Sequence, residues 1–416
     1  MGSNGLVRKV LTMLGGNMAA VVLQAIQFIL LARTLGAAEF GALAAVNSLV
    51  TIATPLAGLG YGNVMLMNVS RSRATAPQQI GNALMATAVL GSVLVVGVSL
   101  ASMVLYGTSD STVLALVMGT TELLFVRSCV VAGQFFQSID QIKRLSLINV
   151  SISLCRVAAI FVLLAFNQKQ ALLWASCCLV LVFLLTLWHV PAAIKQAGGF
   201  RPHFGTFRTQ LGEASYFAFG TTAKATYTDL DKVMLARTAP HAVLGVYNTA
   251  YRLVVMAFMP VRALLDVSAS RFFQVGEGGL KHSYDFSIKL LRFSVSYGVV
   301  TGLGLYFCAP LVPHILGPSY QETVQILQWL APLPVIQGIH YVLSDSLTGA
   351  GFQRVRTLIQ LVILVLYFVL ALILIPTHGW KGAAIVCLVS ETCLAVLIFL
   401  TARRLLRQPK THLSPH

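Results

Sequence analysis

The sequence predicts an all-α polytopic membrane protein of about twelve transmembrane helices, and three observations predict it. The first is composition. Of 416 residues, 57% are hydrophobic and only 10% charged, with a mean hydropathy of +0.80. Soluble proteins carry about 25% charged residues, so a soluble fold would lack the polar surface to cover this much apolar side chain. The second is the recurrence of apolar stretches of the length that crosses a bilayer, about 20 residues. They fall near 10–32, 41–66, 80–106, 112–136, 146–166, 171–190, 214–236, 242–268, 287–310, 323–348, 356–376 and 382–402. The third is charge segregation. With the N-terminus inside, seventeen Lys and Arg fall in the inner connections and tail, against four (Arg33, Lys169, Arg237, Lys381) outside. That is the positive-inside asymmetry, and losing or gaining one helix would scramble it. It also accounts for the net charge of +16 without nucleic acid. The expected site is a bacterial inner membrane, with both termini cytoplasmic.

Taken in order, the first span is long enough to be a retained helix rather than a cleaved leader. It carries Asn17 and Gln24 on one face and closes on Arg33. On the second, Asn47, Thr51, Thr54 and Gly58 align. Gly58, Gly60 and Gly62 beside Pro55 predict close packing or a broken helix; no strand precedes them, so a phosphate-binding loop is disfavoured. The fourth span places Arg127 and Gln134 on one face, with Glu122 turned elsewhere, so Glu122 is expected to neutralise neither Arg127 nor Arg156. On the fifth, Asn149, Ser153 and Arg156 share a face.

The segment after the sixth span contains Gly198, Gly199 and Pro202 and reads as a linker between two halves. The expected division is a first bundle over 1–195, a linker over 196–213, a second bundle over 214–403 and a tail over 404–416. Leu31-Ala32-Arg33-Thr34 recurs as Leu235-Ala236-Arg237-Thr238, and Gly41 matches Gly245 at the same offset. Such duplication predicts two six-helix bundles related by a pseudo-twofold along the membrane normal.

The seventh span is the weakest, interrupted by Lys224, Asp229, Asp231 and Lys232. On the eighth, Arg252, Arg262 and Asp266 lie within about a quarter-turn. Pro332 and Pro334 predict a kink in the tenth. His340 stands about 140° from Asp345 round that helix and reads as a packing residue; Glu391 lies on the twelfth. No catalytic constellation, paired-carboxylate site or metal-ligand cluster is evident, and the seven cysteines all sit in apolar stretches. The chain is therefore expected not to be an enzyme and to hold no cofactor or metal.

Charged groups within a bilayer cost about 2.5–3.5 kcal/mol each on insertion scales, so their positions carry information. Two readings stay open. In one, Arg33, Arg127, Arg156, Lys224, Arg252 and Arg262 bind an anionic headgroup in a hydrated cavity with polar walls (Asn17, Gln24, Asn47, Asn149), and Asp229, Asp231 and Asp266 are ion sites. In the other the charges merely pair, Arg262 with Asp266 and Asp229 with Lys232.

Ala32-Arg33-Thr34-Leu35-Gly36, Glu39-Phe40-Gly41 and Gly58-Leu59-Gly60 resemble the start of the Wzx-type O-antigen and polysaccharide flippase family. That family belongs to the multidrug/oligosaccharidyl-lipid/polysaccharide (MOP) exporter superfamily. Asp229-Leu230-Asp231-Lys232-Val233-Met234-Leu235 and Gly245-Val246-Tyr247-Asn248 are similar to its seventh and eighth helices. The resemblance implies two six-helix bundles working by alternating access. It implies a cavity lined by the first, second, seventh and eighth helices. The cargo it implies is an oligosaccharide on undecaprenyl diphosphate, for O-antigen or related surface polysaccharide assembly. Proton or sodium coupling is common in the superfamily. A polysaccharide polymerase and a chain-length regulator are candidate partners. The rival readings are a cation-coupled multidrug exporter of the same superfamily and a membrane glycan polymerase or ligase. The exterior loops are too short for the latter.

Overall fold

The computed structural model describes residues 3–407, with some side chains within that range, including those of Asn17, Lys224 and Asp266, outside the described set. Among the described residues every regular element is helical. Among the described residues ten helices are long and apolar enough to cross a membrane. Two features relate these ten to the expected count of about twelve. The first candidate, Val22–Arg71, holds two spans, because Gly36 breaks the helix at φ 72°, ψ 174°, a conformation that only glycine reaches without strain. The seventh expected span falls in Phe204–Thr238, a continuous 35-residue helix.

Two compact units divide after Arg237. The first contains α1 (Ser3–Ala57), α2 (Tyr61–Arg71), α3 (Ala76–Tyr106), α4 (Ser109–Gly119), α5 (Arg127–Ser138), α6 (Ile142–Ala165), α7 (Ala171–Ala197) and nearly all of α8 (Phe204–Thr238). The α1–α2 junction turns at Leu59 (φ 41°) and Gly60 (φ 77°), so the glycine-rich stretch is a broken helix, as its composition predicts. Between α4 and α5, Thr120–Val126 winds as a π-helix. One face of α3 is bare and apolar through Val89, Val93, Val96, Leu100 and Val104, the last 81% exposed. Water would not tolerate that stripe; lipid would. The opposite face packs Ile80, Ala83 and Leu84 into a core with Tyr61, Met65, Phe135, Phe136 and Ile148.

The expected linker over 196–213 is mostly helical. α7 continues to Ala197, α8 begins at Phe204, and only 198–203 lies between them. This connection is docked on the first unit. Arg201 N donates to Pro77 O at 3.2 Å, His203 N to Asn82 Oδ1 at 2.8 Å, and Gln78 Nε2 to Thr206 Oγ1 at 2.6 Å. Tyr61 stacks on Phe207 with ring centroids 4.4 Å apart and donates to its carbonyl at 2.7 Å. These contacts explain why packing assigns α8 to the first unit, whereas counting membrane crossings assigns it to the second half.

The second unit contains α9 (His241–Gly276), α10 (Leu280–Cys308), α11 (Val312–Leu316), α12 (Thr323–Leu330), α13 (Leu333–Gly349), α14 (Gln353–His378) and α15 (Trp380–Arg407). The tenth span is interrupted at Ala331–Pro332, where the prolines predict a kink. α10 and α13 approach through small residues. A Cβ on Gly302 would lie 2.6 Å from Ala331 O, and one on Gly298 3.0 Å from Val335 Cα. Backbone contact of this kind is how helices associate where burial against lipid gains little. α13 packs against α9, α10, α14 and α15.

Candidate functional site

In the first unit the polar side chains of the fourth span divide between two neighbours. Arg127 and Gln134 point toward the α1–α2 junction. The Arg127 guanidinium lies over Gly58, where a Cβ would stand 3.1 Å from its Nε and 3.3 Å from Thr87 Oγ1. Gln134 donates to Asn63 Oδ1 at 2.8 Å and occupies the space that a side chain at Gly62 would need. The face shared by Arg127 and Gln134 is therefore real, and it meets the helix break.

Glu122 points elsewhere, toward α6, where its Oε1 lies 2.5 Å from Arg156 Nη2. This corrects the expectation that Glu122 neutralises neither arginine. The pair forms across two helices, a contact invisible to geometry within one. Arg156 is further fixed at its backbone, where its carbonyl accepts the Trp174 indole N–H at 3.2 Å.

Arg127 differs. Its Nε is buried without a hydrogen-bond partner, and among the described residues no carboxylate pairs with it. A guanidinium in that state has five donors in a rigid fork and unspent capacity for a carboxylate or phosphate.

The other predicted wall residues are less distinctive. Asn47 is half-buried and bonded to Thr51, whose hydroxyl donates to Asn47 O at 2.7 Å. Asn149 is half-buried, with its carbonyl accepting from Ser153. Gln24 and Arg33 are exposed. On α8, Lys232 Nζ contacts Asp229 Oδ1 at 2.9 Å and Asp231 Oδ1 at 3.7 Å. It also donates to Thr228 O at 2.6 Å. Local pairing thus accounts for Asp229 and Lys232, as the i, i+3 spacing allows.

In the second unit Arg252 is exposed and engaged. Arg262 donates to the Tyr341 hydroxyl at 2.8 Å and lies over that ring, 5.2 Å from its centroid. The Asp266 side chain is outside the described set, as are those of Asn17 and Lys224. Asp345 pairs with Arg356 at 3.3 Å, from the end of α13 to the start of α14.

A further cluster was not legible in sequence. His340 Nδ1 lies 2.8 Å from Glu391 Oε2, and both residues are buried. Gln337 Nε2 approaches Glu391 Oε1 at 3.4 Å. Gln337 and His340 do share a helix face at i, i+3, which was the available signal. His340 is therefore not merely a packing residue: its partner lies on α15 rather than at Asp345 on its own helix. Among the described residues no three His, Cys, Asp or Glu side chains converge on a position that could hold a metal ion.

Residues 6–269 match the family model described as polysaccharide biosynthesis protein. Solved structures share the fold at low identity. A multidrug resistance MATE family transporter of the MOP superfamily, in an inward-facing conformation, aligns with a TM-score of 0.74 at 14% identity, over 92% of this chain and 94% of that one. A MOP superfamily transporter from Pyrococcus furiosus, reported with a binding pocket of reverse polarity, aligns at 0.66 and 15% over 95% of each chain. The MATE multidrug transporter DinF-BH aligns at 0.64 and 14%, over 95% of this chain and 94% of that one. No curated protein matches the sequence. The two-bundle helical membrane fold expected from the sequence is therefore the MOP exporter fold.

Proposed function

The chain belongs to the polysaccharide biosynthesis protein family, and on that premise we propose that it is a flippase for undecaprenyl diphosphate-linked oligosaccharides. It would move them by alternating access from the cytoplasmic to the periplasmic leaflet of the bacterial inner membrane. The carrying observation is Arg127, half-buried within the fourth span, with a buried Nε that has no hydrogen-bond partner and no counter-ion among the described residues. A cation held in that state is favoured when its complement arrives with the cargo. A diphosphate supplies that complement, since its oxygens take bidentate, charge-assisted hydrogen bonds from guanidinium. Arg156, already bound to Glu122, is a second-rank anion ligand. Seventeen inner against four outer basic residues support cytoplasmic termini.

The multidrug reading is supported by the shared fold and opposed by the charge at this position. An unpaired arginine repels the cationic cargo that such an exporter takes. The test is flipping of undecaprenyl diphosphate-linked oligosaccharide by the protein in proteoliposomes. Wild type flips and Arg127→Ala does not, with both folded. Export of a cationic dye without any flipping would replace this reading with the drug-exporter one.

A further inference from the structure

Of the intramembrane charges, Glu122, Asp229 and Asp345 each face a Lys or Arg that keeps its proton across the physiological range. Glu391 faces a histidine instead. Imidazole, unlike guanidinium or ammonium, is a group whose ordinary proton exchange falls near neutral pH, which sets this contact apart in kind from the other three.

We infer that His340 and Glu391 form a proton-binding site in the second unit, loaded and unloaded during the transport cycle proposed above. Their 2.8 Å separation and their burial, 4% exposed in each case, carry the inference. Loss of one proton leaves the pair net negative, a single proton leaves it neutral overall, and a second proton leaves imidazolium beside a neutral carboxyl. In a low-dielectric interior the singly protonated state is the stable one. Moving to either neighbour therefore requires a compensating charge nearby or entry of water.

The surroundings supply that control. On α9, Arg262 binds the Tyr341 hydroxyl, and the Tyr341 ring packs on His340 with centroids 4.1 Å apart. On α14 stand Arg356, committed to Asp345, and Tyr367, buried and engaged. On α10, Tyr297 donates to Ala257 O, while Asp285, Lys289 and Arg292 are exposed. On α15, Cys387 is buried and engaged. Arg262 is the exposed cation nearest in this chain of contacts. An anion neutralising it would remove positive potential from the pair and strengthen proton binding. By linkage, protonation would equally strengthen anion binding at Arg262.

The experiment is acid-minus-base infrared difference spectroscopy on the purified full chain, read together with flipping in proteoliposomes with and without a pH gradient. The site predicts a protonated-carboxyl stretch that grows on acidification and is missing in Glu391→Gln. In His340→Gln the same band appears at higher pH, because the carboxylate has lost its cationic neighbour. It also predicts that a pH gradient changes the wild-type flipping rate and that the ratio of rates with and without the gradient falls to one in Glu391→Gln. A band unchanged in Glu391→Gln, or a gradient response that survives in it, overturns the inference. A wild type that shows the band but does not flip overturns the flippase reading and leaves the proton site standing.

Discussion

Replacing Arg127 and Arg156 separately by Met separates a cation that binds cargo from one that holds the bundle together. Both changes delete a guanidinium and keep most of the side-chain volume. Arg156→Met strands Glu122, whose side chain is 21% exposed and whose partner stood 2.5 Å away. An unsatisfied, partly buried charged group costs about 1–3 kcal/mol. Arg127→Met strands nothing, since no carboxylate among the described residues pairs with it and its Nε has no acceptor. Removing a charge that lipid disfavours by about 2.5–3.5 kcal/mol on insertion scales then leaves stability level or raised. Thermal unfolding in detergent checks the difference. Arg156→Met melts several degrees below wild type, Glu122→Gln in the same chain restores part of the loss, and Arg127→Met does not fall. Transport follows the opposite order. Loss of a charge-assisted hydrogen bond of about 1.5–3 kcal/mol weakens cargo binding roughly ten- to hundredfold, and the greater loss falls on Arg127→Met. An Arg127→Met protein as destabilised as Arg156→Met would refute the reasoning and make Arg127 a structural residue.

Three further outcomes follow from the same geometry. Gly58→Ala places a methyl 3.1 Å from Arg127 Nε and 3.3 Å from Thr87 Oγ1; a long side chain yields to that, so the protein folds while flipping falls, measured beside expression and melting temperature. Gly302→Val forces a branched side chain against Ala331 O, 2.6 Å from the Cβ position, and separates α10 from α13; no monodisperse protein is expected on size-exclusion chromatography. Tyr61→Phe loses one hydrogen bond to Phe207 O, about 0.5–1.5 kcal/mol, whereas Tyr61→Ala also loses the ring stack. Trypsin should therefore cut after Arg208 faster in Tyr61→Ala than in Tyr61→Phe or wild type, followed by mass spectrometry of the solubilised protein.

Much of the fold is legible because each span announces itself within its own stretch of chain. Apolar length marks the helices, Gly36 and Gly60 mark positive-φ breaks, and Pro332 marks the interruption of the tenth span. The charge-interrupted seventh stretch lies in one continuous helix, where Asp229 and Lys232 sit three apart and meet on the same face. The site is legible only in part. Glu122 with Arg156 and His340 with Glu391 are 34 and 51 residues apart in sequence, and each pair forms where two helices pack. A helical wheel states which residues share a face of one helix but not which neighbour that face meets. Local spacing thus finds Arg127 beside Gln134 and misses the partner of Glu122. The helical part of the stretch over 196–213 is hidden from the sequence for a related reason. Gly198 and Gly199 do end a helix, but Phe204 and Phe207 begin the next one, because Phe207 has a stacking partner in Tyr61.

The backbone around Arg127 argues for function independently of its charge. Two departures from regular helix meet there, the π-helical Thr120–Val126 just before it and the left-handed Leu59 and Gly60 beside it, while Gln134 fills the space over Gly62. Each has a cost. A π-helical turn weakens the regular hydrogen-bond ladder, and irregular backbone at membrane depth is tolerated only where it is buried in protein or lines water. A span that served only to cross the bilayer gains nothing from any of them.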